Sequence, residues 1–361
     1  MLDLRRLTFV PLLMLLLATP VLAQDDPPEE AMDPELAEIA RLVQDNFAPL
    51  AERVTRGLDR DFGEGTFDYR FDDEVVPRPY VFAIQPSPTV STDDRAREYA
   101  DVFTHLRTYF RAELGEVLGM GEMKRPIVTL VFDSEEAYRA VREAKPDLGL
   151  LDPDRVGGYF DPRRRRLVLW RQPYLYTVLF HEGTHQLIDY AAQAFGTQQF
   201  AESPWFQEGF ADFMGGWARD GDGYELGRFA PHRFRRVQAA EAADDLFTVR
   251  DLVELSQMGF QSLMQSKQKK TYARAGLVYA QGWALSMYLW HADDGELRDR
   301  FKKFIRLETE GKGNGFTFGE TFDLATVEDW RDFDEDYRTW VFGTLPTLPK
   351  MAVIERPTGG R

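Results

Sequence analysis

The stretch of chain from residue 176 to residue 193 constrains the fold more than any other part of the sequence. It reads YTVLFHEGTHQLIDYAAQ, and its apolar residues recur at helical spacing. His181 and His185 are four positions apart, so a helix carries both imidazoles on one face, with Glu182 beside them. Two neutral imidazoles on one face can bind zinc, and an adjacent carboxylate can take a proton from a water on the metal. The stretch therefore predicts a helix that carries part of a metal site.

A second stretch, SPWFQEGFADFMGGW at residues 203–217, can complete that site. Its opening Ser-Pro pair predicts an N-cap followed by the first residue of a helix. Glu208 lies in the second turn, 23 positions after His185, which leaves room for one helix to end and another to return. We expect Glu208 to be the third ligand and Asp212, one turn later, to hold the far nitrogen of a ligand histidine. A fourth position would stay open, as a catalytic zinc site requires.

The competing interpretation of this motif is a helix with two incidental surface histidines. H-E-x-x-H arises by chance in on the order of one chain in a hundred of this length. However, the chain has only five histidines, and two of them stand at ligand spacing beside a glutamate. Together with the carboxylates downstream, this favours the metal site.

The two stretches together resemble gluzincin metallopeptidases, in which H-E-x-x-H is followed about twenty or more residues later by a helix with a glutamate ligand. The pattern HEGTH…PWFQEGFADF is most similar to bacterial peptidase-MA-like proteins. The resemblance implies a zincin-like fold and a peptide or protein substrate. It also implies His181, His185 and Glu208 as ligands of one Zn²⁺ per chain, and Glu182 as the general base.

The resemblance extends to YAQGWALSMYLW, which begins at residue 279. Tyr279 and Gly282 match the Y-x-x-G sequence that bears the catalytic tyrosine in gluzincins of the aminopeptidase-N type. The resemblance implies that Tyr279 donates a hydrogen bond to the oxyanion of the tetrahedral intermediate; the alternative is an ordinary aromatic residue on a buried helix face. The Gly-x-Met-Glu-Asn motif by which aminopeptidases grip a free N-terminus is absent, so exopeptidase and endopeptidase activity both stay open.

The three remaining histidines are weaker candidates. His232, in APHRFRR, could be a second oxyanion donor, but a surface histidine among arginines is the favoured interpretation. We expect His105 and His291 to be structural.

The fold prediction starts from YVFAI at 80–84, which predicts a strand, and from the continuous apolar, β-branched run at 126–132, which predicts a buried strand. Between them, 93–118 has the spacing of a long helix. Asp133 with Glu136 predicts a capping box that opens the next helix.

A hairpin is predicted next, from GGYF at 157–160 and RLVLW at 166–170, which flank a turn beginning DPRRRR whose arginine run is expected to be a solvated loop. In the class that the sequence resembles, such a strand lies at the edge of the active-site cleft and could align a peptide by strand addition. After Pro173 the pattern is mainly helical. We therefore expect an α+β fold, with a small N-terminal mixed sheet that has an edge strand and a mainly helical C-terminal part.

The first residues predict export. Arg5 and Arg6 precede an apolar run, and Val21-Leu22-Ala23 offers small residues for signal peptidase, so residues 1–23 are predicted as a signal peptide. An uncleaved anchor is the alternative, although the run is short for a span of roughly 20 residues. We expect a periplasmic or secreted protein with no stable membrane span after cleavage.

The mature chain is predicted to have three parts. Residues 24–66 form an acidic tail and a helical extension, whose helix runs from Pro34 to about Arg60. Residues 67–346 form the catalytic domain, and residues 347–361 form a C-terminal tail.

Composition narrows the classes of function. The chain of 361 residues is 43% hydrophobic and 13% aromatic, which is typical of a globular core. It has 44 basic and 60 acidic residues, a net charge of −16, and this balance gives no support for a nucleic-acid partner. The charge indicates a soluble, self-repelling surface or a preference for basic substrates. There is no cysteine, which excludes disulfides, thiolate ligands and a thiol nucleophile.

The sequence thus predicts a zinc-dependent peptidase that acts outside the cytoplasm, with Glu182 as general base. Two alternatives stay open: a non-catalytic envelope protein that uses the same scaffold for binding or assembly, and a processing enzyme with one dedicated partner. The oligomeric state is not predicted.

Overall fold

A computed structural model of the chain describes residues 47–121, 123, 125–154, 156–197, 203–221, 223–292 and 295–352. The predicted signal peptide, the acidic tail and the first part of the predicted helix from Pro34 lie outside the described residues. So do the last nine positions of the predicted C-terminal tail, residues 353–361.

A five-stranded mixed sheet forms the N-terminal half, in the order β1-β2-β3-β5-β4. Its strands are β1 (Asp68–Phe71), β2 (Tyr80–Ile84), β3 (Ile127–Phe132), β4 (Gly158–Asp161) and β5 (Arg166–Trp170). The three central strands are parallel to one another, and β1 and β4 run antiparallel at the two edges. Every residue of β2, β3 and β5 is buried, which explains why these segments are continuous apolar runs. The strands predicted at 80–84 and 126–132, and the predicted hairpin, are confirmed.

Helices make up most of the rest. They are α1 (Phe47–Phe62), α2 (Thr92–Leu118), α3 (Glu135–Ala144), α4 (Leu175–Ala194), α5 (Pro204–Met214), α6 (Pro231–Ala242), α7 (Val249–Val253), α8 (Gln257–Gln265), α9 (Lys269–His291), α10 (Glu296–Thr309), α11 (Gly315–Thr321) and α12 (Val327–Gly343). A two-stranded ribbon of β6 (Trp217–Asp220) and β7 (Gly223–Leu226) separates α5 from α6. The fold class is α+β, with the five-stranded sheet and three helices in the N-terminal half and mainly helices after it. Among the described helices, none has both the length and the apolar character that crossing a bilayer requires.

The two faces of the sheet are covered by different helices. On one face, Phe82 and Leu169 belong to the main core, together with apolar residues of α2 and α4. On the other face, Phe132 and Trp170 pack with Phe62 of α1 and with residues of α3. The sheet thus holds α4, the helix with both candidate ligand histidines, against its main-core face.

The position of α1 corrects the predicted boundary near residue 66. Leu58 and Phe62 are buried with the sheet residue Phe132, and the compact unit that contains the sheet begins at Asn46. Because α1 shares the core of the sheet, it belongs to the main domain and not to a separate extension.

The predicted capping box before α3 is also wrong. Ser134 is the N-cap residue, and its hydroxyl accepts a hydrogen bond from the Ala137 N–H at 3.2 Å. The helix therefore begins one residue later than a cap at Asp133 requires, and Glu136 lies in its first turn.

The chain end from Pro349 to Ala352 is packed, although the sequence predicts a tail from residue 347. Phe229 N–H donates to the carbonyl of Pro349 at 3.0 Å, and Met351 N–H donates to the carbonyl of Phe229 at 2.9 Å. Ala352 N–H donates to the carbonyl of Trp217 at 2.7 Å. These backbone hydrogen bonds, which side-chain patterns do not reveal, hold the segment beside the start of α6.

Candidate metal centre

The two histidines of α4 face the same side of the helix, as their spacing predicts. The Nε2 atoms of His181 and His185 are 3.3 Å apart. Both side chains are largely buried, with 14% and 18% of their surface exposed. The helix thus presents two imidazole nitrogens at one point.

Glu208 of α5 brings a third donor atom to this point. Its Oε2 lies 3.4 Å from Nε2 of His181 and 3.8 Å from Nε2 of His185. Three ligand atoms at 2.0–2.1 Å from a tetrahedral zinc ion would be about 3.3–3.4 Å apart. The observed triangle, with edges of 3.3, 3.4 and 3.8 Å, has the donor types and the size that fit such an ion.

Asp212, one turn after Glu208 on α5, holds the far nitrogen of His181. Its Oδ1 lies 3.1 Å from Nδ1 of His181 and accepts a hydrogen bond from Nη2 of Arg233 at 2.7 Å. Through this contact Asp212 orients the ring so that Nε2 of His181 points at the candidate metal position, where a metal would replace the proton on Nε2. Burial alone would raise the pKa of Asp212, but the charge of Arg233 and the hydrogen bond with His181 hold this pKa below its usual range.

The charges of the carboxylates around the three donor atoms favour a positive charge, such as a proton or a metal ion, at this point. Burial alone would lower the pKa of His181, but hydrogen bonds to Asp212 and Glu208 raise it to about 10. Burial would raise the pKa of Glu208, yet the two histidines lower it, so this carboxyl group is ionised. For His185, burial dominates and lowers the pKa, which favours the neutral imidazole that binds metals.

Glu182 lies between α4 and the edge strand of the sheet. Its Oε2 accepts a hydrogen bond from the backbone N–H of Phe160 in β4 at 2.8 Å. The close approach of β4 to α4 requires a glycine, because a Cβ on Gly158 would lie 2.7 Å from Cγ1 of Val178. The sequence singles out both Glu182 and the GGYF run, but a side chain-to-backbone hydrogen bond between them leaves no sequence pattern.

Tyr279 reaches the centre because α5 and α9 touch through their backbones. A Cβ on Gly209 would lie 2.2 Å from the carbonyl carbon of Gly282, so both positions need glycine. Glu208 precedes the first glycine and Tyr279 lies one turn before the second. Burial raises the pKa of Tyr279 well above its usual value, and the charges of Glu208, Asp212 and Glu182 and a hydrogen bond to Glu208 raise it further. The phenol is therefore protonated at neutral pH and can donate a hydrogen bond.

Arg233 is a site residue that the sequence did not single out. Besides its contact with Asp212, its guanidinium lies over the ring of Tyr279, 5.6 Å from the ring centroid. It thus links the carboxylate behind His181 to the phenol on α9. The only signal in the sequence is the arginine-rich APHRFRR, which reads equally well as an exposed helix face.

The other histidines do not join the three donor atoms. His232 is exposed and lines the cleft described below. His105 Nδ1 lies 2.9 Å from the carbonyl oxygen of Asp101, and His291 Nε2 lies 3.3 Å from that of Gly227. The two contacts agree with the structural role expected for both residues.

A cleft of about 1380 Å³ opens over the candidate metal centre. It is lined by β4, the donor face of α4, the first turns of α6, one face of α9 and the chain end at Lys350–Ala352. Among the described residues, seven large hydrophobic side chains are exposed, and four of them line this cleft: Leu151, Tyr174, Met264 and Tyr272. Exposed apolar surface is thus concentrated around the donor atoms, as it is in binding sites.

No family model and no curated protein matches the sequence of this chain. A function therefore has to be argued from the geometry and chemistry of the site.

Proposed function

We propose that the protein is a zinc-dependent peptidase with a zincin-like fold that acts outside the cytoplasm. The observation that carries the proposal is the convergence of Nε2 of His181, Nε2 of His185 and Oε2 of Glu208, with separations of 3.3–3.8 Å. A mixed sheet whose antiparallel edge strand runs beside the H-E-x-x-H helix supports the fold assignment. Export is supported by the sequence of residues 1–23, which lie outside the described residues.

His181, His185 and Glu208 would hold one zinc ion per chain. Bound there, zinc would act as a Lewis acid and make a water molecule more acidic. Asp212 fixes the ring of His181 through Nδ1, which keeps Nε2 available as a ligand atom.

Glu182 is the proton carrier in this proposal. The Phe160 N–H holds one carboxylate oxygen, which fixes the side chain between the ligand helix and the sheet edge. From this position Glu182 takes the proton of the attacking water and delivers it to the leaving amine.

Tyr279 stabilises the oxyanion that forms when the peptide carbonyl is attacked. A phenol with a raised pKa keeps its proton at neutral pH, so it donates a hydrogen bond without ionising. Arg233, stacked on the ring, keeps the phenol in place.

A peptide is the substrate that fits the cleft best. In the described part of the chain, β4 is the last strand of its sheet. The groups of its outer edge can pair with an extended peptide, except the Phe160 N–H, which donates to Glu182. The four exposed hydrophobic side chains can contact apolar side chains of that peptide.

The test is the metal content of the mature protein, measured by elemental mass spectrometry, together with cleavage of a proteome-derived peptide library. We expect one zinc per chain, lost or much weakened in His185→Ala and Glu208→Ala. We expect Glu182→Gln to retain zinc and to lose turnover. Zinc-free parent protein after reconstitution, or full turnover by Glu182→Gln, would refute the proposal. Zinc without cleavage of any peptide would leave the non-catalytic scaffold and the processing enzyme with one dedicated partner, which a turnover search against envelope proteins separates.

A further inference from the structure

Outside the candidate metal centre, the charges that line the cleft have the opposite sign to the net charge of the chain. The only acidic residues along the described part of the cleft are Glu182, Glu208 and Asp212, all in the candidate metal centre. Outside that centre, Arg235, Arg236 and Lys350 line the cleft. The chain as a whole has a net charge of −16, so this cationic group is a local feature.

These three side chains are available to a ligand. All three residues are exposed. In the described part of the chain none of them forms an ion pair, whereas Arg233 on the same helix is paired with Asp212 at 2.7 Å. Three unpaired cations in one cleft repel one another, and an anionic ligand would relieve that repulsion.

The guanidinium of Arg236 lies against α9 at Gly276. A Cβ on Gly276 would lie 1.7 Å from Nη1 of Arg236, so the guanidinium fills the space that any larger residue would take. Gly276 precedes Tyr279 by three positions, about 4.5 Å along the axis of α9. The guanidinium of Arg236 therefore packs on α9 one helical turn before the residue that carries the phenol.

Lys350 is brought to the same cleft by the packed chain end. The hydrogen bonds between Phe229 and the segment at Pro349 and Met351 fix the backbone of Lys350. Phe229 lies just before the start of α6, the helix that carries Arg235 and Arg236. Two separate parts of the chain thus contribute cations to one region.

We propose that Arg235, Arg236 and Lys350 form a carboxylate-binding subsite, which selects peptides with an acidic group close to the scissile bond. The proposal rests on the proposed peptidase function. A guanidinium binds a carboxylate through two parallel hydrogen bonds, which makes arginine well suited to this recognition. The net charge of the chain left a preference for basic substrates open, but the charges inside the cleft favour acidic ones.

The carboxylate can come from an Asp or Glu side chain or from the C-terminus of the substrate. Three short fluorescein-labelled peptides separate these sources: one with a Glu and an amidated C-terminus, one with Gln in its place, and the Gln peptide with a free C-terminus. Because the position of the scissile bond in the peptide is not known, a series of peptides places the Glu at each position in turn. Binding is measured by fluorescence anisotropy to zinc-loaded Glu182→Gln protein, so that the readout does not depend on turnover.

We expect one of the two carboxylate-bearing peptides to bind on the order of tenfold more tightly than the amidated Gln peptide. The difference should shrink as salt is raised, because exposed charges are screened. The double substitution Arg235→Gln and Arg236→Gln should abolish this difference in affinity. Lys350→Gln alone should reduce it. Arg56→Gln combined with Arg331→Gln removes two arginines that are 69% and 66% exposed outside the cleft, and should leave it unchanged.

Equal binding of all three peptides, or a preference that survives the Arg235 and Arg236 substitutions, would overturn the subsite. Failure of the subsite and failure of the peptidase proposal look different. If the protein with Glu182 intact cleaves acidic and neutral peptides equally well, the subsite is refuted and the peptidase stands. If acidic peptides bind preferentially but neither the peptides nor any envelope protein is cleaved, the subsite stands and the peptidase is refuted.

Discussion

Arg233 and Asp212 form an ion pair of 2.7 Å behind the candidate metal centre. The oxygen of Asp212 that takes part in it also lies 3.1 Å from Nδ1 of His181. The other oxygen, Oδ2, is buried and has no hydrogen-bond partner among the described residues. The orientation of His181 therefore depends on one carboxylate oxygen, which a cation from a different helix keeps ionised.

We expect Asp212→Asn to weaken zinc binding by about 10- to 100-fold, the usual effect of losing a carboxylate behind a ligand histidine. An amide has no negative charge to stabilise the imidazole, and it leaves Arg233 without an anionic partner. Competition with a zinc chelator measures the affinity. Asp245→Asn is the matched control, because Asp245 pairs with Arg274 at 2.6 Å and does not line the cleft. Equal zinc affinity of both variants would contradict the role of Asp212.

We expect Tyr279→Phe to lower kcat by about 10²- to 10³-fold, the range for removal of one oxyanion donor. The hydroxyl contacts Glu208 in the resting site, but in the transition state it donates to the developing charge, so kcat should fall far more than zinc affinity. Tyr272→Phe is the control, because Tyr272 lies on the same helix, lines the same cleft and is 50% exposed. Steady-state cleavage of a peptide by the three proteins measures the effect. An unchanged kcat in Tyr279→Phe would make this tyrosine an ordinary packing residue.

We expect zinc to raise the free energy of unfolding, because the three donor atoms come together only in the folded chain. At a free zinc concentration 100 times the Kd the gain is about 2.7 kcal/mol. Thermal unfolding with zinc and with excess chelator measures it. In Glu208→Ala the two melting curves should nearly coincide. A parent protein that melts at one temperature under both conditions would contradict the site.

The sequence was sufficient to predict the parts of the site that lie within one helix. His181 and His185 share a face because their spacing is close to one helical turn, and α4 forms because its apolar residues have the same period. Continuous apolar runs likewise predict the buried strands β2 and β3. Glu208 was predicted from its motif, and the fold brings it to the two histidines.

Contacts between distant elements could not be predicted in the same way. Arg233 meets Asp212 only because α6 returns to α5 after the β6–β7 ribbon, and arginine-rich helix faces are usually solvated. The bond from Phe160 to Glu182 involves a backbone N–H, which every residue but proline has. The packed chain end at Pro349–Ala352 depends on backbone pairing as well, and it carries no distinctive side-chain pattern.

The contact of Gly209 with Gly282 gives a prediction that does not depend on the chemistry of the site. Gly209→Ala would place a Cβ 2.2 Å from the carbonyl carbon of Gly282, a backbone atom that can move only if α5 and α9 separate. We expect a loss of about 1–3 kcal/mol in the free energy of unfolding, the usual cost of overpacking a core. Urea unfolding measures it.

Gly57→Ala is the matched control, since Gly57 lies inside α1 and a Cβ there would be no closer than 3.8 Å to Nη2 of Arg60. An alanine in this open helical position should stabilise the protein by roughly 0.5–1 kcal/mol. The two substitutions add the same methyl group to a helix and should have opposite signs. A Gly209→Ala protein as stable as Gly57→Ala would mean that α5 and α9 do not cross at these glycines. The approach of Tyr279 to Glu208, which depends on that crossing, would then lose its structural basis.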